Sequence, residues 1–124
     1  VVDLMENQKH INGYGATMRL GAYDCKLLGD TLAHNLYNKD VISERHRHRY
    51  EFNNDFKELL ISKGLTISGS SPDGLLAEIV ELKTNDFFLA CQFHPEFKSR
   101  PYKPHPLFDG FFKAAINYHE KTTK

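Results

Sequence analysis

A histidine and a glutamate two residues apart are the side chains of this sequence best suited to chemistry. They lie in Cys91-Gln92-Phe93-His94-Pro95-Glu96-Phe97, directly after the apolar run Phe87-Phe88-Leu89-Ala90. An imidazole can act as a general base, and a carboxylate on its second nitrogen orients the ring. Because Pro95 disfavours the helical state for His94, we expect an extended segment in which His94 and Glu96 share a side. The pattern predicts a catalytic base with its orienting acid. The alternative is a strand-end turn whose polar residues face water.

A base of this kind needs a nucleophile, and the sequence offers two cysteines, Cys25 and Cys91. Cys91 lies three positions before His94, so on a continuing strand the two side chains point to opposite faces. Its apolar neighbours also favour an inert thiol with a raised pKa. Cys25 lacks the Gly-x-Cys-x-Gly turn that would lift its sulfur above a sheet. We expect both to be core residues, and two cysteines indicate a reducing compartment rather than a disulfide framework.

The second unusual stretch is Arg45-His46-Arg47-His48-Arg49-Tyr50. On a strand its arginines share one face and its histidines the other. Adjacent guanidiniums need carboxylates or a ligand, and their planar fork suits a substrate carboxylate. The alternatives are a solvated edge strand, a zinc site with Cys91 and His94, and a strip that binds a phosphate backbone. No ligand pair has finger-like spacing and no wider basic patch exists, so we predict neither a metal site nor a nucleic-acid partner.

Composition limits the classes of protein to which the chain can belong. Its 124 residues, 40% hydrophobic, are enough for one packed domain, and 16 basic residues balance 16 acidic ones. A neutral chain has no global field that favours nucleic acid or an anionic membrane. No apolar run approaches the length of a membrane span, and no signal peptide is recognisable. The sequence opens on Val1 rather than Met, so we expect it to be a piece of a longer protein.

Alternating strand and helix patterns predict an α/β fold with a mixed sheet. Residues 1–16 are expected to form a mobile loop, and Met18, Leu20 and Ala22 the apolar positions of a first strand. The remaining predicted elements are a short helix capped by Asp30, a strand over 41–52, a helix capped by Asn54 and stopped by Gly64, a hairpin over 65–82, a buried strand over 87–93, and a terminal helix with Pro106 in its first turn.

Two segments together resemble the CTP synthase family: Glu44–Asn54, which reads ERHRHRYEFNN, and Cys91–Phe97, which reads CQFHPEF. Segments 15–22, 99–101 and 105–111 match the same family. The His-Pro-Glu element marks class I glutamine amidotransferases in general, whereas the RHRHRYE run is more specific to CTP synthases. The resemblance implies that residues 1–124 form the C-terminal half of a three-layer class I glutamine amidotransferase fold with a mixed central sheet.

The resemblance also implies an activity and a set of site residues. The family hydrolyses glutamine with a cysteine, a histidine and a glutamate, and passes the ammonia to a synthetase domain that aminates ATP-activated UTP to CTP. By position, His94 matches the histidine, Glu96 the glutamate, and Arg49 the arginine that holds glutamine. Arg45 and Arg47 receive no role. The sequence departs from the family's pattern at 85–88 and 102–104, and neither segment contains any of the three matched residues.

The implied partners are L-glutamine and the synthetase domain of the same polypeptide, in a cytoplasmic, homo-oligomeric enzyme without membrane or nucleic-acid contacts. No cofactor is expected within the chain, because ATP and magnesium belong to the synthetase domain. The family's nucleophile elbow and its synthetase domain lie upstream of these residues. We therefore expect the fragment alone to be inactive. The alternative is a degenerate, non-catalytic module kept for binding or assembly, which an upstream sequence without the cysteine element would indicate.

Overall fold

The computed structural model describes residues 1–4 and 18–123. Most of the loop expected over 1–16 lies outside the described residues, but its first part is a strand. The strands are β1 (Val2–Leu4), β2 (Arg19–Leu27), β3 (Val41–His48), β4 (Tyr50–Phe52), β5 (Leu65–Ser70), β6 (Ala77–Leu82) and β7 (Leu89–Cys91). The α-helices are α1 (Leu32–Tyr37), α2 (Lys57–Ser62) and α3 (Pro106–Thr122), and short 3-10 helices span Asn54–Phe56 and Pro95–Phe97.

Five strands form one sheet in the order β3-β2-β5-β6-β7, and β1 pairs with β4 in a separate two-stranded sheet. Every pairing among the described strands is antiparallel. The mixed sheet that we expected would require parallel pairs. They do not occur in the described part, because β2–β3, β5–β6 and β6–β7 are joined by connections that return the chain beside the strand it has just left.

The predicted helix caps are each wrong by one residue. Thr31, not Asp30, caps α1, and its hydroxyl accepts a hydrogen bond from the His34 amide. Asp30 itself has a φ of +58°, outside the extended conformation that an N-cap adopts. Similarly, the side chain of Asn53 rather than Asn54 caps the 3-10 helix that leads into α2. The sequence pattern does not distinguish between two neighbouring residues that can both cap a helix, because the backbone angles decide which of them does so.

The strand predicted over 41–52 is interrupted at Arg49. Its first part, β3, pairs with β2 over eight residue pairs, from Lys26↔Val41 to Arg19↔His48. Its second part, β4, pairs instead with β1. Arg49 therefore lies where the chain leaves the five-stranded sheet for the two-stranded one.

The two faces of β2 are the reverse of those predicted. Arg19 is only 5% exposed, whereas Leu20 is 57% exposed. The Arg19 guanidinium is buried because Glu78 and Glu51 supply carboxylates at 2.5 and 3.4 Å, and the Tyr23 ring lies below it at 4.5 Å. A buried charge is tolerated when it is paired in this way.

The hydrophobic core lies where β2, β3 and β6 meet α1 and the start of α3. Its buried members are Cys25, Leu27, Ala33, Ile42, Ile79, Phe93 and Leu107.

Two elements near this core are less buried than predicted. The strand predicted as buried over 87–93 is shorter, because β7 spans only Leu89–Cys91. It is an edge strand of the described sheet, and Phe88, just before it, is exposed. Only the start of α3 is buried, since the predicted apolar positions Phe111, Phe112 and Ile116 are all more than half exposed. No helix among the described residues is long and apolar enough to cross a membrane.

Gly69 tests how tightly this core is packed. An added Cβ would lie 2.8 Å from both Cys25 Sγ and Ile79 Cγ1, and both residues are fully buried. We expect Gly69→Ala to lower the free energy of unfolding by about 1–3 kcal/mol, the usual effect of overpacking a core. Chemical denaturation measures it. Gly29→Ala is the control, since no atom lies within 4 Å of its added Cβ. Equal stability of the two variants would contradict the packing.

Candidate active site

The turn after β7 brings His94 and Glu96 together. His94 Nδ1 lies 2.7 Å from Glu96 Oε1. His94 is extended (φ −108°, ψ 90°), as Pro95 predicts, but Pro95–Phe97 is a 3-10 helix rather than a continuing extended segment. The contact that we expected from an extended chain is therefore made by a tight turn, which folds the carboxylate back onto the ring.

The geometry determines which nitrogen carries the proton. A carboxylate only accepts hydrogen bonds, so Nδ1–H donates to Glu96 and Nε2 is left able to accept a proton. This hydrogen bond holds the pKa of Glu96 below its usual value. The Phe97 ring stacks on the imidazole at a centroid distance of 5.2 Å and an interplanar angle of 22°. His94 remains 39% exposed, so a reacting group can approach it.

Backbone contacts attach this turn to β3. The His94 amide donates to the Arg45 carbonyl at 2.9 Å, and Lys98 Nζ donates to the Ser43 carbonyl. Lys98 also lies 3.8 Å from the buried carboxylate of Glu44. The His94 turn and the arginine-rich strand are therefore held in one arrangement.

Glu44 also ties the start of α3 to β3. His105 caps α3, because its Nδ1 accepts from the Leu107 amide at 3.2 Å. The other nitrogen, Nε2, then carries the proton and donates to Glu44 Oε1 at 2.8 Å. Tyr37 donates its hydroxyl to the same carboxylate oxygen at 3.0 Å. This contact explains why a histidine, rather than serine or aspartate, caps the terminal helix.

The alternation predicted for the Arg-His run is confirmed by the burial of its side chains. Arg45 and Arg47 are exposed, His46 is 1% exposed, and His48 is half-buried. Arg45 and Arg47 line a groove of about 490 Å³ together with Met18, Leu20, His46 and Phe97. Arg49 is half-buried at the junction of β3 and β4. The groove runs from the stacked ring beside His94 along the arginine face.

Both cysteines are unsuited to attack, as predicted. Cys25 is fully buried in the core, and burial raises the pKa of its thiol to about 12. Burial also raises the pKa of Cys91 to about 12, and its Sγ donates to the Phe93 carbonyl. Neither thiol supplies a thiolate near neutral pH.

Sequence reasoning missed a buried cluster of charged residues beneath the arginine face. Arg19, Glu51 and Glu78 are each less than a tenth exposed, and they adjoin the two inward-facing histidines. Burial raises the pKa of both carboxyls, against the effect of Arg19. The signal available in the sequence was Glu78 between Ala77 and Ile79, a charge within an apolar strand. No group of three or more His, Cys, Asp or Glu in the described residues could hold a metal ion.

Comparison with a family model and with known proteins shows which family the sequence is similar to. The family model "Glutamine amidotransferase class-I" matches residues 2–114. The chain is 57% identical to the CTP synthase of Aquifex aeolicus over 123 residues, which cover 99% of this chain and 23% of that protein. It is 62% identical to the CTP synthase of Nostoc punctiforme over 116 residues, which cover 94% and 21% respectively. The chain thus spans less than a quarter of the length of these relatives.

Solved structures show the same fold. The glutaminase domain of the Trypanosoma brucei CTP synthase, determined with bound acivicin, superposes with a TM-score of 0.86 at 36% identity, covering 94% of this chain and 46% of that one. A Thermoplasma acidophilum protein assigned as a GMP synthase subunit superposes with a TM-score of 0.67 at 20% identity, covering 100% of this chain and 52% of that one, and this second likeness concerns the fold alone. The predicted class I glutamine amidotransferase-like fold is confirmed.

Proposed function

We propose, from the premise that this chain belongs to the class-I glutamine amidotransferase family, that residues 1–124 are the C-terminal part of the glutamine-hydrolysing domain of a CTP synthase. The observation that carries the proposal is the 2.7 Å contact between His94 Nδ1 and Glu96 Oε1, which leaves Nε2 as an exposed proton acceptor. The identity of 57–62% to CTP synthases supports the choice within the family.

In the proposed mechanism His94 is the general base and then the general acid. Its Nε2 takes the proton of a cysteine thiol that residues upstream of this chain supply, and the thiolate attacks the side-chain amide of glutamine. The imidazolium returns the proton to the departing nitrogen, so ammonia leaves and a thioester forms. Water activated by the same nitrogen then releases glutamate. Glu96 keeps the ring oriented and stabilises the imidazolium at each proton transfer.

Arg49 is the proposed anchor for the α-carboxylate of glutamine. The exposed face of β3 carries Arg45 and Arg47, Arg49 follows directly after this strand, and the His94 amide is bonded to the Arg45 carbonyl. Arg49 lies four positions after Arg45, roughly 13 Å along an extended backbone. This separation leaves room for an extended amino acid whose carboxylate meets a guanidinium while its amide meets the base. A planar guanidinium can bind that carboxylate through two parallel hydrogen bonds.

The ammonia is proposed to serve the ATP- and magnesium-dependent amination of UTP in the synthetase domain of the same polypeptide. A cytoplasmic, homo-oligomeric enzyme is the parent that we expect, and the two free cysteines agree with a reducing compartment. The test is CTP formation by the complete enzyme from UTP, ATP and glutamine, with glutamate released in step. An enzyme that releases neither product would contradict the proposal.

The two cysteines of this chain provide a further prediction. In the complete enzyme, Cys25→Ser and Cys91→Ser should each retain most of the glutaminase activity per folded molecule, because Cys25 is buried, Cys91 is partly buried, and the raised pKa of each thiol keeps it protonated. The purified 124-residue chain should release no glutamate, since it has no thiol placed beside His94. Glutamate release by this chain, abolished by Cys91→Ser, would show that Cys91 is the nucleophile.

A further inference from the structure

The two histidines between the arginines form an ordered chain of hydrogen bonds. His48 Nδ1 lies 2.9 Å from the Tyr50 carbonyl, which only accepts, so Nδ1 donates. His48 Nε2 lies 2.7 Å from His46 Nδ1. Burial lowers the pKa of both rings, that of His46 to about 3, so both are neutral near pH 7. His48 Nε2 is then the acceptor and His46 Nδ1 the donor, and each ring is held as a single tautomer.

The inner end of this chain meets the buried charges. His46 Nε2, left without a proton, lies 3.6 Å from Glu78 Oε2 and makes no hydrogen bond to it, whereas the other oxygen of Glu78 forms an ion pair with Arg19 Nη2 at 2.5 Å. Arg19 in turn contacts Glu51, the residue after Tyr50 in β4. The hydrogen bond of His48 therefore joins β3 to β4, and the ion pairs of Arg19 join β2 to β4 and β6, beneath the point where the backbone turns at Arg49.

The two hydrogen-bonded histidines contact the sequence neighbours of both proposed site residues, Arg49 and His94. At the outer end they reach the Tyr50 carbonyl, directly after Arg49. At the inner end the His46 ring lies edge-on between Tyr23 and Phe93, at centroid distances of 5.5 and 5.8 Å, and Phe93 directly precedes His94. One buried ring is thus packed against the strand end that presents the base. Through His48 it is hydrogen-bonded to the turn that presents the arginine.

We propose that His46 and His48 are positioning residues, which hold the Arg49 turn in register with the His94 turn so that one glutamine can contact both. This inference rests on the proposed function and adds a role for the two histidines of the Arg-His run. Neither ring needs to touch substrate. Their effect is on the placement of the Arg49 guanidinium, because the Tyr50 carbonyl that His48 binds belongs to the residue next along the backbone.

The experiment compares two substitutions of His48 in the complete enzyme. His48→Leu removes the donor to Tyr50, and we expect it to raise the KM for glutamine by about tenfold while kcat changes much less. His48→Asn places an amide N–H near the position of Nδ1, so it should restore much of the affinity. His34→Leu is the matched control, since it removes another imidazole hydrogen bond, 2.9 Å to Asp40, away from this chain, and should leave the KM unchanged.

A purely structural role for His48 would lower the melting temperature without changing the KM of the folded enzyme, and that result would overturn the proposal. Equal KM values for His48→Leu and His48→Asn, both raised, would also overturn it, because the donated hydrogen bond would then be irrelevant. Arg49→Lys is measured in parallel. If it raises the KM while His48→Leu does not, the positioning role fails and the proposed function stands. If neither substitution changes the KM, the role proposed for Arg49 fails as well.

Discussion

Replacing His94 with alanine is expected to lower glutamine-dependent CTP formation by the complete enzyme by about 10²- to 10⁴-fold, the usual contribution of a general base. The physical reason is that His94 Nε2 is the proton acceptor left open by the hydrogen bond to Glu96. In the proposed mechanism, no other group then deprotonates the attacking thiol or protonates the departing nitrogen. Steady-state rates with saturating glutamine measure the loss directly.

Ammonia provides the control for this variant. CTP formation from added ammonium chloride should continue at a rate close to that of the unsubstituted enzyme, because the amination of UTP is assigned to the synthetase domain. A parallel fall in both activities would mean that His94 supports the structure or a shared step, and the assignment as base would be wrong. His119→Ala serves as a matched histidine substitution, since His119 lies near the exposed end of α3, far along the chain from the turn.

Arg49 is expected to control the KM for glutamine rather than the chemical step. Arg49→Lys replaces a planar fork by a point charge, so one of the two parallel hydrogen bonds proposed to hold the substrate carboxylate would be lost. The loss of a charge-assisted hydrogen bond of about 1.5–3 kcal/mol corresponds to a rise in KM of roughly ten- to hundredfold. Arg49→Ala should have a larger effect, because it removes the cation altogether. Glutamine saturation curves measure both.

Arg47→Lys is the matched control for these substitutions. Arg47 lies on the exposed face of β3, two residues before Arg49, and no role is assigned to it. Its conversion to lysine should leave the glutamine saturation curve unchanged. Melting temperatures of all three variants separate a loss of folding from a loss of affinity. Superimposable curves for Arg49→Ala and the unsubstituted enzyme would mean that Arg49 does not bind the substrate.

Local rules were sufficient for several features of the candidate site. The two-residue period of a strand predicted that the histidines and the arginines of the Arg-His run would lie on opposite faces, although not which face would be buried. The apolar neighbours of Cys91 predicted an unreactive thiol. Pro95 predicted the extended backbone of His94, and the spacing to Glu96 predicted the contact between them. Each of these depends on residues within a few positions in the sequence, where chain geometry leaves few alternatives.

Features that depend on distant residues could not be predicted in this way. The sequence by itself determined the strand periods, the extended backbone of His94 and the family likeness. The tertiary structure decided the break at Arg49, because β4 pairs with β1, whose residues lie nearly fifty positions earlier. It also decided the burial of Arg19 in place of Leu20, because Glu78 and Glu51 come from other strands to meet the guanidinium. A hydrophobic pattern predicts that a charged residue faces solvent. A buried charge is stable only where tertiary contacts supply its partners.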